Sequence, residues 1–174
     1  RLPLAATFVF NGEEITIVNN HFASKGGSDP VYGQTQPPAN GQVSQREAMA
    51  LSVNAFVEAL LNTDPDANVV VLGDLNEFQF FSPLDILRDG VDGTTELFDL
   101  VDLMTDLSDA YSFNFEGNSQ LLDHILATSA LFDDGDPMFD IVHVNTGGIY
   151  AGLDGVDGIS GSDHDLLLAS FDFG

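Results

Sequence analysis

Apolar positions alternate between two periods along the chain, and their order sets the expected elements. Ala5 to Phe10 and Glu13 to Asn19 have the look of strands flanking Asn11-Gly12. Asn-Gly is the favoured two-residue hairpin turn, because both turn positions take φ > 0. A polar, proline- and glycine-rich stretch from Ala23 to Val43 follows, longer than a simple connector. Ser44-Gln45-Arg46-Glu47 has the form of a capping box. Beyond it, Met49, Val53, Phe56, Val57, Leu60 and Leu61 recur at steps of three and four, which predicts a helix burying that face. Asn62 to Asn68, with Pro65, ends it. Val69-Val70-Val71-Leu72 is a continuous run expected of a strand covered on both faces, so helix and strand read as half of a crossover unit.

Ser82-Pro83 to Arg88, with Gly90, predicts a short helix with proline at its start and glycine at its stop. Tyr111 to Phe115 and Leu121 to Thr128 predict a second hairpin joined through Glu116-Gly117-Asn118, and Phe139 to Val144 and Leu166 to Phe171 two last strands. About six strands with two or three helices, without repeat or linker, imply one mixed domain over residues 1–174.

Composition narrows the class. A hydrophobic fraction of 44% excludes a disordered acidic tail. No apolar run approaches the roughly 20 residues of a membrane-spanning helix. The absence of cysteine excludes disulfides, zinc–thiolate sites and a thiol nucleophile. The net charge is −24, with only Arg1, Lys25, Arg46 and Arg88 as cations. Affinity for nucleic acid rests mainly on phosphate neutralisation by Lys and Arg. The charge therefore argues against a broad polyanion footprint and toward a secreted or high-salt setting. Aspartates outnumber glutamates 21 to 7, and Asp/Gly loops suit hard cations such as calcium or magnesium. Arg1 is not an initiator and no leader follows it, so a processed or trimmed chain is expected.

Four segments place metal-capable residues at strand ends: Asn19-Asn20-His21, Gly73-Asp74-Leu75-Asn76, Leu122-Asp123-His124-Ile125 and Ser162-Asp163-His164-Asp165. Taken singly, Gly-Asp-x-Asn is a turn, Ser-Asp-His a cap and His21 a half-buried strand-end residue. Asp123 differs, because a carboxylate between Leu121-Leu122 and Ile125-Leu126 needs a partner to offset its desolvation. Four such positions could converge on one crevice.

Together with Arg1-Leu2-Pro3-Leu4, Phe22-Ala23-Ser24-Lys25-Gly26 and Glu77, these blocks resemble the endonuclease/exonuclease/phosphatase superfamily, the group of DNase I-like nucleases, sphingomyelinases and inositol-phosphate phosphatases. They are most similar to its branch of large secreted bacterial nucleases. The resemblance implies an α/β fold: the C-terminal portion of a four-layer α/β/β/α DNase I-like sandwich with mixed, mostly antiparallel sheets. It implies a metal-dependent phosphodiesterase, foremost an extracellular nuclease acting on DNA or RNA. The alternatives are a phosphatase or a hydrolase of phospholipids or small phosphodiesters.

Residue by residue, the resemblance gives His21 a non-bridging phosphate oxygen, and Asp74 and Asn76 the attacking water and the phosphate. Asp163, with Asp74, takes a divalent cation, Mg2+ or else Mn2+ or Ca2+. His164, oriented by Asp123, contacts the phosphate, and either Asp74 or His164 is the base. Two departures stand out. The family's catalytic Asn and metal-binding Glu lie upstream of residue 1, so the chain is expected to be weak or inactive without the missing half of the domain or a second copy. Ala23 stands where the branch usually has lysine, leaving Lys25. A third reading, a non-catalytic calcium-binding module, rests on the loops Asp133-Asp134-Gly135-Asp136 and Asp154-Gly155-Val156-Asp157-Gly158.

Overall fold

The computed structural model describes residues 1–95, 97–115, 117–133, 135–146 and 162–173. The Asp154-to-Gly158 loop and residues Glu116 and Asp134 lie outside the described residues. The first hairpin forms as its turn chemistry dictates. Strand β1 (Leu4–Phe10) pairs antiparallel with β2 (Glu13–His21), and Asn11 and Gly12 sit at φ 52° and 94°. Helix α1 (Val43–Leu61) then crosses to β3 (Asn68–Asp74), which pairs parallel with β2. This is the crossover unit expected from the pattern.

A second helix, α2 (Ser82–Asp89), has Pro83 in its first turn and Gly90 beyond its end at φ 69°. Strand β4 (Leu97–Asp99), 3-10 turns at Leu100–Leu103 and Leu107–Asp109, and the hairpin β5 (Phe113–Phe115) with β6 (Asn118–Gln120) follow. Strand β7 (Asp123–Thr128) inserts between β3 and β4, antiparallel to both. After the short helix α3 (Ser129–Asp133), β8 (Met138–Val142) pairs antiparallel with β9 (Leu166–Ser170). The main sheet runs β1-β2-β3-β7-β4.

Alternation along β3 explains the layering. Val69 and Val71 point to α1 and α2, packing with Val53, Val57, Leu84, Leu87 and Leu126. Val70 and Leu72 point the other way, onto a core that includes Ile125, Ala127, Phe139 and Leu167 of the β8–β9 layer. Helices on one face and a second sheet on the other are the mixed, mostly antiparallel α/β layering of the DNase I-like class. Strand β1 is the edge, and all of it is exposed.

Three local expectations are corrected. The capping box does not form: Gln42 precedes the helix in a left-handed conformation, and Ser44 lies inside its first turn. Glu47 instead accepts from the Ser82 hydroxyl at 2.6 Å. The buried helix face is Arg46, Ala50, Val53, Asn54 and Val57, while Phe56 is exposed. Val53 and Val57 are buried and Met49, Leu60 and Leu61 pack against the core as expected, but the face also takes in Arg46 and Asn54 and leaves Phe56 out, because polar residues that find buried partners do not register in apolar periodicity. Finally, Phe113–Phe115 turns back onto Asn118–Gln120, not onto Leu121–Thr128. Burying Ile125, Leu126 and Ala127 on both faces of the central sheet outweighs the local hairpin.

Candidate active site

Register across the main sheet brings three of the blocks to one edge. His21 at the end of β2 is paired with Asp74 at the end of β3, and Asp74 with Asp123, the first residue of β7. Their parity puts Asp74 and Asp123 on the side of Val70, Leu72 and Ile125, facing the second sheet. The fourth block arrives from that second layer, where His164 just before β9 bridges to Phe113 of β5. One ligand atom each from Asp74, Asp123 and His164 lie within 4.8 Å of one another, and all three residues are half-buried.

Each side chain is held by several partners. His164 Nδ1 donates to Asp123 Oδ2 at 2.6 Å. That hydrogen bond raises the His164 pKa, working against burial, with the charges of Asp123, Asp74 and Asp163 adding to it. The same Asp123 oxygen accepts from the buried Ser112 hydroxyl at 2.6 Å, and Ser112 Oγ accepts the Asp123 amide at 3.2 Å. This set of contacts is the compensation that a carboxylate in an apolar run required. Asp74 accepts from the Asn76 amide and side chain, both at 2.9 Å, and lies 3.4 Å from His21 Nε2. Burial, then the neighbouring Asp123 charge, push the Asp74 carboxyl above its ordinary pKa, opposed by the Asn76 amide and both histidines.

Gly73 has a steric reason. At φ 126°, a Cβ there would meet the Asn20 carbonyl at 2.1 Å, so only glycine lets β3 run this close to β2 before the Asp74 turn. Asp163 is exposed beside His164 and is not one of the three grouped ligands.

Beneath the site sits a polar framework that the pattern of apolar residues had hidden. Glu77 and Arg46 are fully buried, with Arg46 Nε and Nη2 on Glu77 Oε2 at 3.0 and 2.9 Å. Arg46 Nη1 also donates to the carbonyls of Ala23, Ser24 and Gly41, clasping both ends of the long polar loop. Lys25 turns inward onto Glu77 and Asn40 rather than toward a phosphate. Burial would raise the Glu77 pKa, but hydrogen bonds from Lys25 and Asn40 and the charges of Lys25 and Arg46 hold it below the ordinary value. The Glu77 carbonyl accepts from His124 Nε2 at 3.0 Å, while His124 Nδ1 donates to buried Asp99 at 2.7 Å. A second anchor, Asp165, accepts from His143 Nδ1 at 2.8 Å and from the amides and hydroxyl of Asn145 and Thr146. Burial would raise its pKa, but these donors bring it down to about 2. Asn145 Nδ2 in turn holds the His164 carbonyl at 2.6 Å.

Sequence reasoning passed over Ser112, Arg46, Asp99 and Asp165. Asp99, inside Leu97-Phe98-Asp99-Leu100-Val101, carries the same signal as Asp123, an acid in an apolar run. Ser112 carries no such signal.

A layered α/β fold with a carboxylate–histidine cluster at a strand-end edge is thus on view, and comparison with known proteins places it in a family. The profile of the Endonuclease/Exonuclease/phosphatase family matches residues 1–152, and the chain belongs to that family, whose members hydrolyse phosphoester bonds. Truncated Caenorhabditis elegans TDP2 is similar in structure, with a TM-score of 0.66 at 16% identity over 98% of this chain and 59% of that one. Danio rerio TDP2 complexed with single-strand DNA product gives 0.60 at 14% over 97% and 60%. The Bacteroides thetaiotaomicron mannosyl-6-phosphatase Bt3783 gives 0.56 at 17% over 94% and 53%. The chain thus spans a little over half the length of these structures. No curated protein sequence matches it.

Proposed function

We propose that the protein is a divalent-metal-dependent phosphodiesterase, an extracellular nuclease cleaving DNA or RNA. The observation that carries this reading is the convergence of His21, Asp74, Asn76, Asp123 and His164 on one edge, with the two carboxylates and one imidazole of the Asp74–Asp123–His164 group within 4.8 Å. The donor set fits a hard cation. Burial first, and then the neighbouring Asp123 charge, hold the Asp74 pKa up, and a divalent ion between the two carboxylates would offset both. Asp74 would hold that ion, Mg2+ or else Mn2+ or Ca2+, and exposed Asp163 beside His164 would complete the set. When bound, the ion supplies Lewis-acid polarisation of the phosphoryl oxygen and charge neutralisation.

The chain's own groups do the positioning. Asp74, its pKa held up, accepts the proton of the attacking water or lends its oxygen to the ion. Asn76 Nδ2 lies where it can donate to a phosphate oxygen once released from Asp74. His164, tautomer fixed by Asp123, presents Nε2 to the developing charge. His21, about half exposed, donates to a non-bridging oxygen.

A family profile covering residues 1–152 and a neighbour holding single-strand DNA product support nucleic acid as substrate. The neighbours' greater length and the exposed apolar residues Leu4, Phe8, Val9 and Phe10 on β1 support an edge covered by further strands of the domain or by a second copy. A second reading, a small phosphate ester, is favoured by the scarcity of cations and by the sugar-phosphatase neighbour.

Plasmid nicking by the protein with its whole catalytic domain tests the assignment. Nicking should require added magnesium, stop with EDTA, and vanish in Asp163→Ala and His164→Ala variants that keep the native circular dichroism. Retained nicking by both variants overturns the reading. Hydrolysis of small phosphate esters with no nicking selects the second one.

A further inference from the structure

One row of phenylalanine rings starts against His164, a second group, Phe78, Phe80 and Phe81, follows the Asp74–Asn76 turn in the chain and packs on Lys25, and each ends in solvent. On β5, the Phe113 ring lies 4.6 Å from the His164 ring, and Phe115 continues the row at 6.4 Å with its plane within 12° of Phe113. Phe115 is 55% exposed. On the other flank, Phe78 follows Asn76 by two residues. Phe80 stacks on it at 5.4 Å with planes 2° apart and is 56% exposed. Scattered exposed phenylalanines are ordinary. Two flat rows, each anchored on a site residue or its own turn, are not scattered.

The cations argue in the same direction. Among the described residues, Lys25 and Arg46 are spent on Glu77, Arg88 pairs with Asp85, and Arg1 makes no ion pair. A chain of net charge −24 therefore has no basic track on which to lay a phosphate backbone. Affinity for a polynucleotide beside this site has to come from groups that carry no charge. Flat π faces provide it, because every base has one and stacking tolerates any sequence. Duplex DNA hides those faces inside the helix, whereas unpaired strands offer them. The same negative charge disfavours anionic membranes as occupants.

Resting on the nuclease reading above, we propose that Phe115 and Phe80 form base-stacking platforms that select unpaired polynucleotide, holding the bases on either side of the phosphate presented to His164 and Asp74. Selection would therefore work by ring stacking and not by phosphate contacts. This has a consequence opposite to that of a basic nuclease: affinity should hold or rise with salt, since salt screens the protein's own repulsion.

Fluorescence anisotropy of the purified protein tests this in EDTA and 300 mM salt, where turnover is off. The probes are labelled twelve-residue oligothymidylate and a twelve-unit abasic phosphodiester of equal charge. The oligothymidylate should bind at least about tenfold more tightly, and Phe115→Ala and Phe80→Ala should each weaken it by about fivefold to 100-fold. Equal affinity for the two probes, unchanged binding in both variants, or a steep loss of affinity with salt overturns the inference. So does a finding that Phe115→Ala instead abolishes binding to phosphatidylcholine vesicles or self-association. Base-dependent binding with no hydrolysis of any strand in magnesium by the whole catalytic domain leaves this inference standing and sinks the nuclease reading. Hydrolysis without base-dependent binding sinks the inference alone.

Discussion

Glu77→Gln tests the framework under the site most directly. The substitution keeps the size of the side chain but removes the carboxylate that, among the described residues, faces the wholly buried Arg46. The remaining Arg46 partners are carbonyls of Ala23, Ser24, Gly41 and the Asn40 side chain, so its charge stays in place without a counter-ion. Breaking a buried pair from one side costs about 3–5 kcal/mol. At about 2–4 °C per kcal/mol for a chain of this size, the midpoint of thermal unfolding should fall by roughly 10 °C. Asp85→Asn is the matched control. It breaks the exposed Arg88 pair and should cost less than about 1 kcal/mol. Urea unfolding followed by far-UV circular dichroism reads both, and adding Arg46→Met to Glu77→Gln should recover part of the loss. A Glu77→Gln cost equal to that of Asp85→Asn would refute the claim that this buried pair holds the framework under the site together.

Three further expectations bear on the site. Asp123→Asn should lower the His164 titration midpoint seen by NMR, since the Asp123 hydrogen bond raises it, and should cut turnover by on the order of 10²–10⁴. Gly73→Ala should fail to fold or lose several kcal/mol by denaturant melts, because its methyl meets the Asn20 carbonyl at 2.1 Å. Asp165 has a folded pKa of about 2 against an ordinary 3.8. The stability it contributes, about 2 kcal/mol, is therefore complete above pH 4 and is lost as the pH falls through 2. Asp165→Asn should flatten that part of the acid-unfolding curve.

Much of this was legible in one dimension. Asn11-Gly12 forced the first hairpin, and Pro83 and Gly90 bounded α2. The Val69-to-Leu72 run is covered on both sides as its composition required. Asp123 advertised a partner, since a carboxylate is too costly among leucines without one, and His164 and Ser112 supply it. These features are local: a turn type, a cap, a burial penalty, each decided within a few residues.

What tertiary structure alone decided is long-range pairing and polar burial. Nothing near Leu121 tells Asp123–Thr128 to leave its neighbouring hairpin for a place between β3 and β4. That choice is made by the total area buried across both faces of the sheet. Arg46 was legible only as part of a capping box, because burying a guanidinium is favourable only when Glu77, distant in the chain, and the Asn40 side chain arrive to meet it. Lys25 could have faced a phosphate, and the fold turned it inward. By itself the sequence set the elements and named the chemistry-bearing residues. The register of β2, β3 and β7 then put His21, Asp74 and Asp123 side by side at one edge, because a sheet's side chains share a face only once its strands are aligned.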